Sequence, residues 1–137
     1  MVFQVRPDSP VPIYEQIAAQ VVFGVAAGDP PPGSLVPSVR ELASQLIVNP
    51  NTVARAYQEL ERQGILESRR GLGMQVTTKA PELCETRRME IIRQRLLHAV
   101  REAAASGLTA DDVRSLVEEE WTRASGRAHR RGREERT

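Results

Sequence analysis

The stretch from Pro37 to Gly64, PSVRELASQLIVNPNTVARAYQELERQG, leaves this chain few folds to choose from. In its first half Val39, Leu42, Ala43 and Leu46 stand at i, i+3, i+4 and i+7, the spacing that gathers apolar side chains on one stripe of a helix. Ser38, just ahead, has the hydroxyl that an N-cap needs to accept a free backbone N–H of the first turn. A second helix is predicted from Asn49 as N-cap and Pro50 at the first helical position, where a missing N–H costs nothing. Gly64 closes it as a residue free to adopt the left-handed conformation past the helix end. Val53, Tyr57 and Leu60 share one face of this helix, and at about 100° per residue Asn51, Arg55, Gln58 and Arg62 point the opposite way. Only Ile47 and Val48 separate the helices, too little chain for a comfortable antiparallel pair. The layout is a helix-turn-helix, whose second helix fits a major groove about 12 Å wide.

The flanks read as support for this motif. Phe3 to Val5 is a short β-type run that Pro7, Ser9 and Pro10 break. A helix is predicted from Pro12 to about Ala27, with Ile13, Ile17, Val21 and Val25 on a stripe that Ala18, Val22 and Phe23 widen. Gly28 to Gly33, GDPPPG, cannot continue a helix, because proline removes donors and excludes the α region from the residue before it. After Gly64, β-capable residues on either side of Arg69, Arg70, Gly71, Leu72 and Gly73 predict a hairpin. On its own such a hairpin is a solvated turn; directly after a helix-turn-helix it is a wing. Arg69 and Arg70 at its tip suit phosphates or a narrow minor groove, whose negative potential attracts arginine. The expected fold is therefore mainly α with a small β-hairpin wing. It divides into a winged helix-turn-helix over residues 1–78, a two-helix segment over 79–126 and a basic, disordered tail over 127–137.

Charge argues through placement here and not through its total. The chain has a net charge of +1, and residues 1–78 hold six arginines against seven carboxylates, although phosphate contacts supply much of protein–DNA affinity. Arg40, Arg55, Arg69 and Arg70 nevertheless fall where a helix-turn-helix and wing would face DNA, and a local basic face can coexist with an acidic back. The lone Cys84 builds neither an internal disulfide nor a multi-cysteine zinc site. His98 and Glu102, four apart, suit a surface pair better than a metal site, and His129 has no partner pattern. No GxSxG, HExxH or P-loop is present, and Gly71-Leu72-Gly73 is too short for a dinucleotide fingerprint. No enzyme, cofactor or metal is expected. Without an apolar run near the roughly 20 residues of a membrane span, or a secretory pattern, the expectation is a cytoplasmic protein with no membrane partner.

The C-terminal third carries two apolar stripes. One helix is predicted from Pro81 to about Ser106, with Met89, Ile92, Leu96, Ala99, Val100 and Ala103 aligned and Gly107 as its stop. Thr109 and Asp112 resemble a capping box, with Leu108 and Val113 at staple spacing. The last helix then turns Val113, Leu116, Val117, Glu120, Trp121 and Ala124 to one side. Two such helices cannot bury both stripes against each other alone. Either they pack back on the winged helix, or a symmetric partner covers them. The second reading is preferred and places Met89, Ile92, Leu96, Val100, Leu116, Val117 and Trp121 in a homodimer interface, with Trp121 as its central anchor.

From Pro12 to Val76 the chain resembles the winged helix of the GntR family of transcription regulators. The resemblance lies in PIYEQI (Pro12 to Ile17), PSVRELA (Pro37 to Ala43), NPNTVARAYQELERQGIL (Asn49 to Leu66) and RRGLG (Arg69 to Gly73), in the family's order and spacing. NPNTVARAYQELE followed by a short tail is most similar to the YtrA subfamily, which has a helical dimerisation segment in place of a large ligand-binding domain. The resemblance implies that Arg40 contacts DNA from the first motif helix, that Asn51, Thr52 and Arg55 read or clamp DNA from the second, and that Gly71 lets the wing approach the backbone. With Ser38, Gln58, Arg69 and Arg70 these make up the expected DNA-facing set. Two positions depart from the family: Ile47 stands in the turn where glycine is usual, and a β-branched residue is costly at positive φ; Val36 replaces a common leucine. The function implied is a sequence-specific DNA-binding regulator, in the main a repressor, acting as a homodimer on an inverted-repeat operator of a membrane-transport operon. A small-molecule effector would have to use the dimer interface, since the tail is too small to enclose a pocket of roughly 300 Å³. The alternative is a winged-helix protein interaction module without sequence-specific DNA reading.

Overall fold

The computed structural model describes residues 1–134, with side chains as far as Arg127. In chain order the elements are α1 (Ile13–Ala26), α2 (Val39–Leu46), α3 (Pro50–Arg62), β1 (Leu66–Arg69), β2 (Gly73–Val76), α4 (Ala80–Ala105) and α5 (Ala110–Glu134). They form two compact units, Met1–Ile92 and the chain from Arg93 onward, with α4 running through the division.

In the first unit α1, α2 and β1 all pack on α3. Most of the stripes foreseen from spacing are buried, namely Ile17, Val21 and Val25 of α1, Leu42 and Ala43 of α2, and Val53, Tyr57 and Leu60 of α3, while Ile13, Val39 and Leu46 are half-buried against them. Aliphatic side chains dominate this core. Its one buried phenol, Tyr57, donates from its hydroxyl to the Pro37 carbonyl at 2.7 Å, tying α3 to the segment that leads into α2. Burial, and then the nearby Glu41 carboxylate, push the Tyr57 pKa upward, so the hydroxyl stays a donor.

The hairpin pairs antiparallel in the register Leu66 with Val76, Glu67 with Gln75, Ser68 with Met74 and Arg69 with Gly73. A third extended segment flanks β2: Val36 N donates to Met74 O at 3.0 Å and Val76 N to Ser34 O at 2.9 Å. The chain entering α2 is thereby bonded to the wing, which holds the wing and the helix-turn-helix in one piece. At the N-terminus Phe3 is buried, but the β-type run forms no strand. Two α1 glutamines replace a neighbouring strand. Gln4 N donates to Gln20 Oε1 at 2.8 Å and Arg6 N to Gln16 Oε1 at 2.8 Å, while Gln16 Nε2 returns a bond to Arg6 O at 3.0 Å.

Four helices close with the same pair of backbone bonds. In each a residue just past the helix end donates to a carbonyl five residues earlier: Asp29 to Gly24, Val48 to Ala43, Ile65 to Leu60 and Leu108 to Ala103. The residue just before each of these donors has positive φ. It is Gly28, Gly64 and Gly107 after α1, α3 and α4, but Ile47, at φ 54° and ψ 52°, after α2. Ile47 therefore does adopt the left-handed conformation that glycine would take there.

The first turns of α4 belong to the winged-helix core, with Ala80 and Cys84 fully buried, so that unit reaches Ile92 and passes the boundary at residue 78 expected from the sequence. Composition could not show this, because the fully buried residues of these turns are small, with the half-buried Ile91 the larger apolar side chain beside them. In the second unit the capping box forms as expected: Asp112 N donates to Thr109 Oγ1 at 3.1 Å, and Thr109 N to Asp112 Oδ2 at 2.8 Å. The helix it starts continues to Glu134, through much of the arginine-rich stretch read from sequence as a disordered tail; residues 135–137 lie outside the described residues. No helix among the described residues is long and apolar enough to cross a membrane.

Candidate nucleic-acid interface

Both motif helices start as their sequences demand. Ser38 Oγ accepts from Glu41 N at 3.1 Å, and Asn49 Oδ1 accepts from Asn51 N at 2.8 Å. The Ser38 hydroxyl proton is left over, so the cap can still donate to an anion. Thr52 N is tied to the Asn49 carbonyl at 3.0 Å, and the Thr52 side chain is half-buried at the edge of the exposed face.

The outer face of α3 is open. Asn51, Arg55 and Gln58 are exposed, opposite the buried arc of Val53, Ala56, Tyr57 and Leu60. Arg62 is exposed too, but its guanidinium is committed to Glu59, three residues back on the same helix. That contact, with a bond from Gln63, holds the Glu59 carboxyl down at about 2. Arg62 therefore serves the helix end, while Asn51 and Gln58 keep their side-chain amides for a ligand. Arg40 on α2 is exposed.

Arg55 is held in a way that spacing did not show. Its Cζ lies over the Tyr14 ring on α1, 3.9 Å from the centroid, a cation–π contact. Tyr14 falls off the spacing-four stripe of α1; its place in PIYEQI was visible, but its reach to α3 required the packing of α1 against α3.

The two wing arginines differ. Arg69 Nε donates to Gln75 Oε1 at 2.7 Å and its Nη2 to Glu67 Oε1 at 3.0 Å, so it stands over the hairpin as a cross-strand strut. Gln75 in turn donates to the Gly33 carbonyl at 2.8 Å, linking the strut to the chain ahead of α2. Arg70 is exposed at the tip and has no hydrogen bond or ion pair among the described residues. Gly71, at φ 81°, turns the tip with open space where a Cβ would sit, the condition for close approach to a backbone. The sequence placed both arginines at the tip; the pairing assigns Arg69 to β1 and leaves Arg70 as the free cation of the two.

Among the described residues no group of three His, Cys, Asp or Glu is placed to hold a metal. His98 Nε2 and Glu102 Oε1 stand 3.8 Å apart on the surface of α4. An open hollow of about 530 Å³ beside the hairpin is lined by Glu61, Gly64, Leu66, Glu67, Thr77 and Lys79. None of these side chains has a buried, unsatisfied polar atom to offer a ligand.

Comparison with known proteins agrees with this geometry. The model of the bacterial regulatory proteins of the gntR family matches residues 13–76, from the start of α1 to the end of β2. The HTH-type transcriptional repressor YtrA of Bacillus subtilis (strain 168) is 39% identical over 116 residues, covering 85% of this chain and 89% of that protein. A GntR family transcriptional regulator from Listeria monocytogenes superposes with a TM-score of 0.64 at 32% identity, over 82% of this chain and 97% of that one. The AraR DNA-binding domain in complex with operator ORX1 superposes with a TM-score of 0.50 at 28% identity, over 56% of this chain and 96% of that one.

Proposed function

The chain belongs to the GntR family of bacterial regulatory proteins, with YtrA similar to it along most of its length, and from that premise we propose that it is a sequence-specific DNA-binding repressor acting as a homodimer on an inverted-repeat operator. The observation that carries the reading is the outer face of α3, where Asn51, Arg55 and Gln58 stand exposed with polar groups uncommitted. In this reading α3 enters the major groove. The arginine fork suits a guanine edge and the amides suit adenine. Arg40, Thr52, the Ser38 hydroxyl and Arg70 clamp phosphates on either side, and Gly71 admits the wing to the backbone.

Support for the homodimer comes from what α4 and α5 leave uncovered. Met89, Ile92, Leu96 and Val100 on α4, and Leu116, Val117 and Trp121 on α5, are all exposed, Trp121 to 73%. Large apolar side chains left uncovered in this number favour an interaction site, and a second copy offers the same stripes to pair with. Two-fold symmetry then sets the half-sites about one helical turn, or a small multiple of it, apart on one side of the duplex. Our reading, drawn from the subfamily resemblance, takes the regulated genes to be those of a membrane transporter.

Selection from a random-sequence DNA pool at about 150 mM salt, followed by sequencing, tests the reading. An enriched inverted repeat with the expected half-site spacing supports it. A folded protein that enriches nothing, and whose weak DNA binding is unaffected by salt, contradicts it in favour of a protein interaction module.

A further inference from the structure

We infer that Tyr14 is a positioning residue for DNA recognition: its ring is a platform that holds the Arg55 guanidinium in place on the outer face of α3, so part of the recognition surface is contributed by α1. The inference rests on the reading of Arg55 as a DNA contact. The geometry is specific. Tyr14 lies in the first turn of α1, between the half-buried Ile13 and the buried Ile17 two residues beyond Glu15, so its backbone is fixed by the core. Its hydroxyl donates to Glu15 Oε1 at 3.1 Å, which leaves the ring face to Arg55, 3.9 Å away.

A cation–π contact positions an arginine without using up its donors. A ring face draws the guanidinium by its charge and takes up none of its five N–H donors the way a carboxylate does. A carboxylate partner would do the opposite: Glu59 and Glu67 occupy the donors of Arg62 and Arg69. Arg55 has no ion pair or hydrogen bond among the described residues, so its donors stay available. A free arginine surrenders much rotamer freedom when it docks; one already laid on a ring surrenders less.

The test is a double-mutant cycle on the full-length chain, titrated against a labelled duplex of the sequence that the wild-type chain selects from a random pool. Tyr14→Leu keeps apolar bulk and removes the π face. It should weaken binding by about two- to fivefold, the range of an exposed cation–π contact. Tyr14→Phe should restore binding, since it keeps the ring and drops only the hydroxyl. In an Arg55→Ala background Tyr14→Leu should have no further effect. Equal loss in both backgrounds would show Tyr14 acting through the fold alone and overturn the inference. So would tighter binding by Tyr14→Leu, which would mean that the ring holds Arg55 back from DNA. Full binding by Tyr14→Leu while Arg55→Ala is weak would overturn the inference and leave Arg55 as a reader. If Arg55→Ala itself binds as wild type, the reading of Arg55 falls and takes the inference with it.

Discussion

Replacing Ile47 with glycine should stabilise the winged-helix unit although it removes a large apolar side chain. Ile47 sits at φ 54° and ψ 52° and is 92% exposed, so truncation forfeits almost no burial. The left-handed region costs an L-residue roughly 1–2 kcal/mol, and a β-branched side chain stands at the upper end. Glycine removes that strain but adds about 0.5–1 kcal/mol of backbone entropy to the unfolded state. The difference is a net gain of about 1 kcal/mol, or roughly 4–8 °C in Tm for a unit of this size. The closing bonds from Ile47 N and Val48 N are backbone bonds and survive the change. Three other helix ends in this chain make the same bonds with glycine at that position, so the target geometry is already sampled by the fold. Thermal melts of wild type, Ile47→Gly, Ile47→Asn and Ile47→Val decide the matter. Glycine should melt highest, asparagine, which tolerates the left-handed region, should also gain, and valine should not. A lower Tm for Ile47→Gly, or equal values for glycine and valine, would refute the strain argument.

Three further outcomes follow from the same geometry. Arg70→Ala should weaken binding to all DNA sequences alike and reduce the slope of log affinity against log salt by about one, whereas Arg69→Ala should change the slope less, because Arg69 is engaged with Gln75 and Glu67; salt titrations of both variants check this. Trp121→Ala should move the protein toward monomer in sedimentation equilibrium, and a tight dimer that persists would remove Trp121 from the interface. Burial pushes the Cys84 thiol from its ordinary 9.0 up to about 11. The unfolded chain therefore loses that proton first. Stability intact below pH 9 should decline as pH rises toward 11, and urea denaturation should show a shallower decline for Cys84→Ala than for wild type over that window.

Much of the fold was legible because it rests on local rules. The caps at Ser38, Asn49 and Thr109, proline at Pro50, and the stripes of α1 and α3 each follow from the chemistry of a few neighbouring residues. The same periodicity that buries Val53, Tyr57 and Leu60 determines that Asn51, Arg55 and Gln58 face outward. The turn at Ile47 was legible as an expectation of strain, since glycine is what the left-handed position favours.

Contacts between elements distant in sequence were decided only by the tertiary structure. Tyr14 meets Arg55 because α1 packs on α3, and no periodicity within either helix encodes that meeting. Arg69 and Arg70 are chemically identical in sequence; strand register gives one of them Gln75 and Glu67 and leaves the other free. The extension of the winged-helix unit into α4 likewise depends on where Ala80 and Cys84 land, side chains too small to announce a stripe. Sequence alone determined which residues sit on each helix face, because a helix fixes direction residue by residue. Packing determined which of those faces meet and which polar groups remain free, because a side chain's partner is set by the placement of the whole element that carries it.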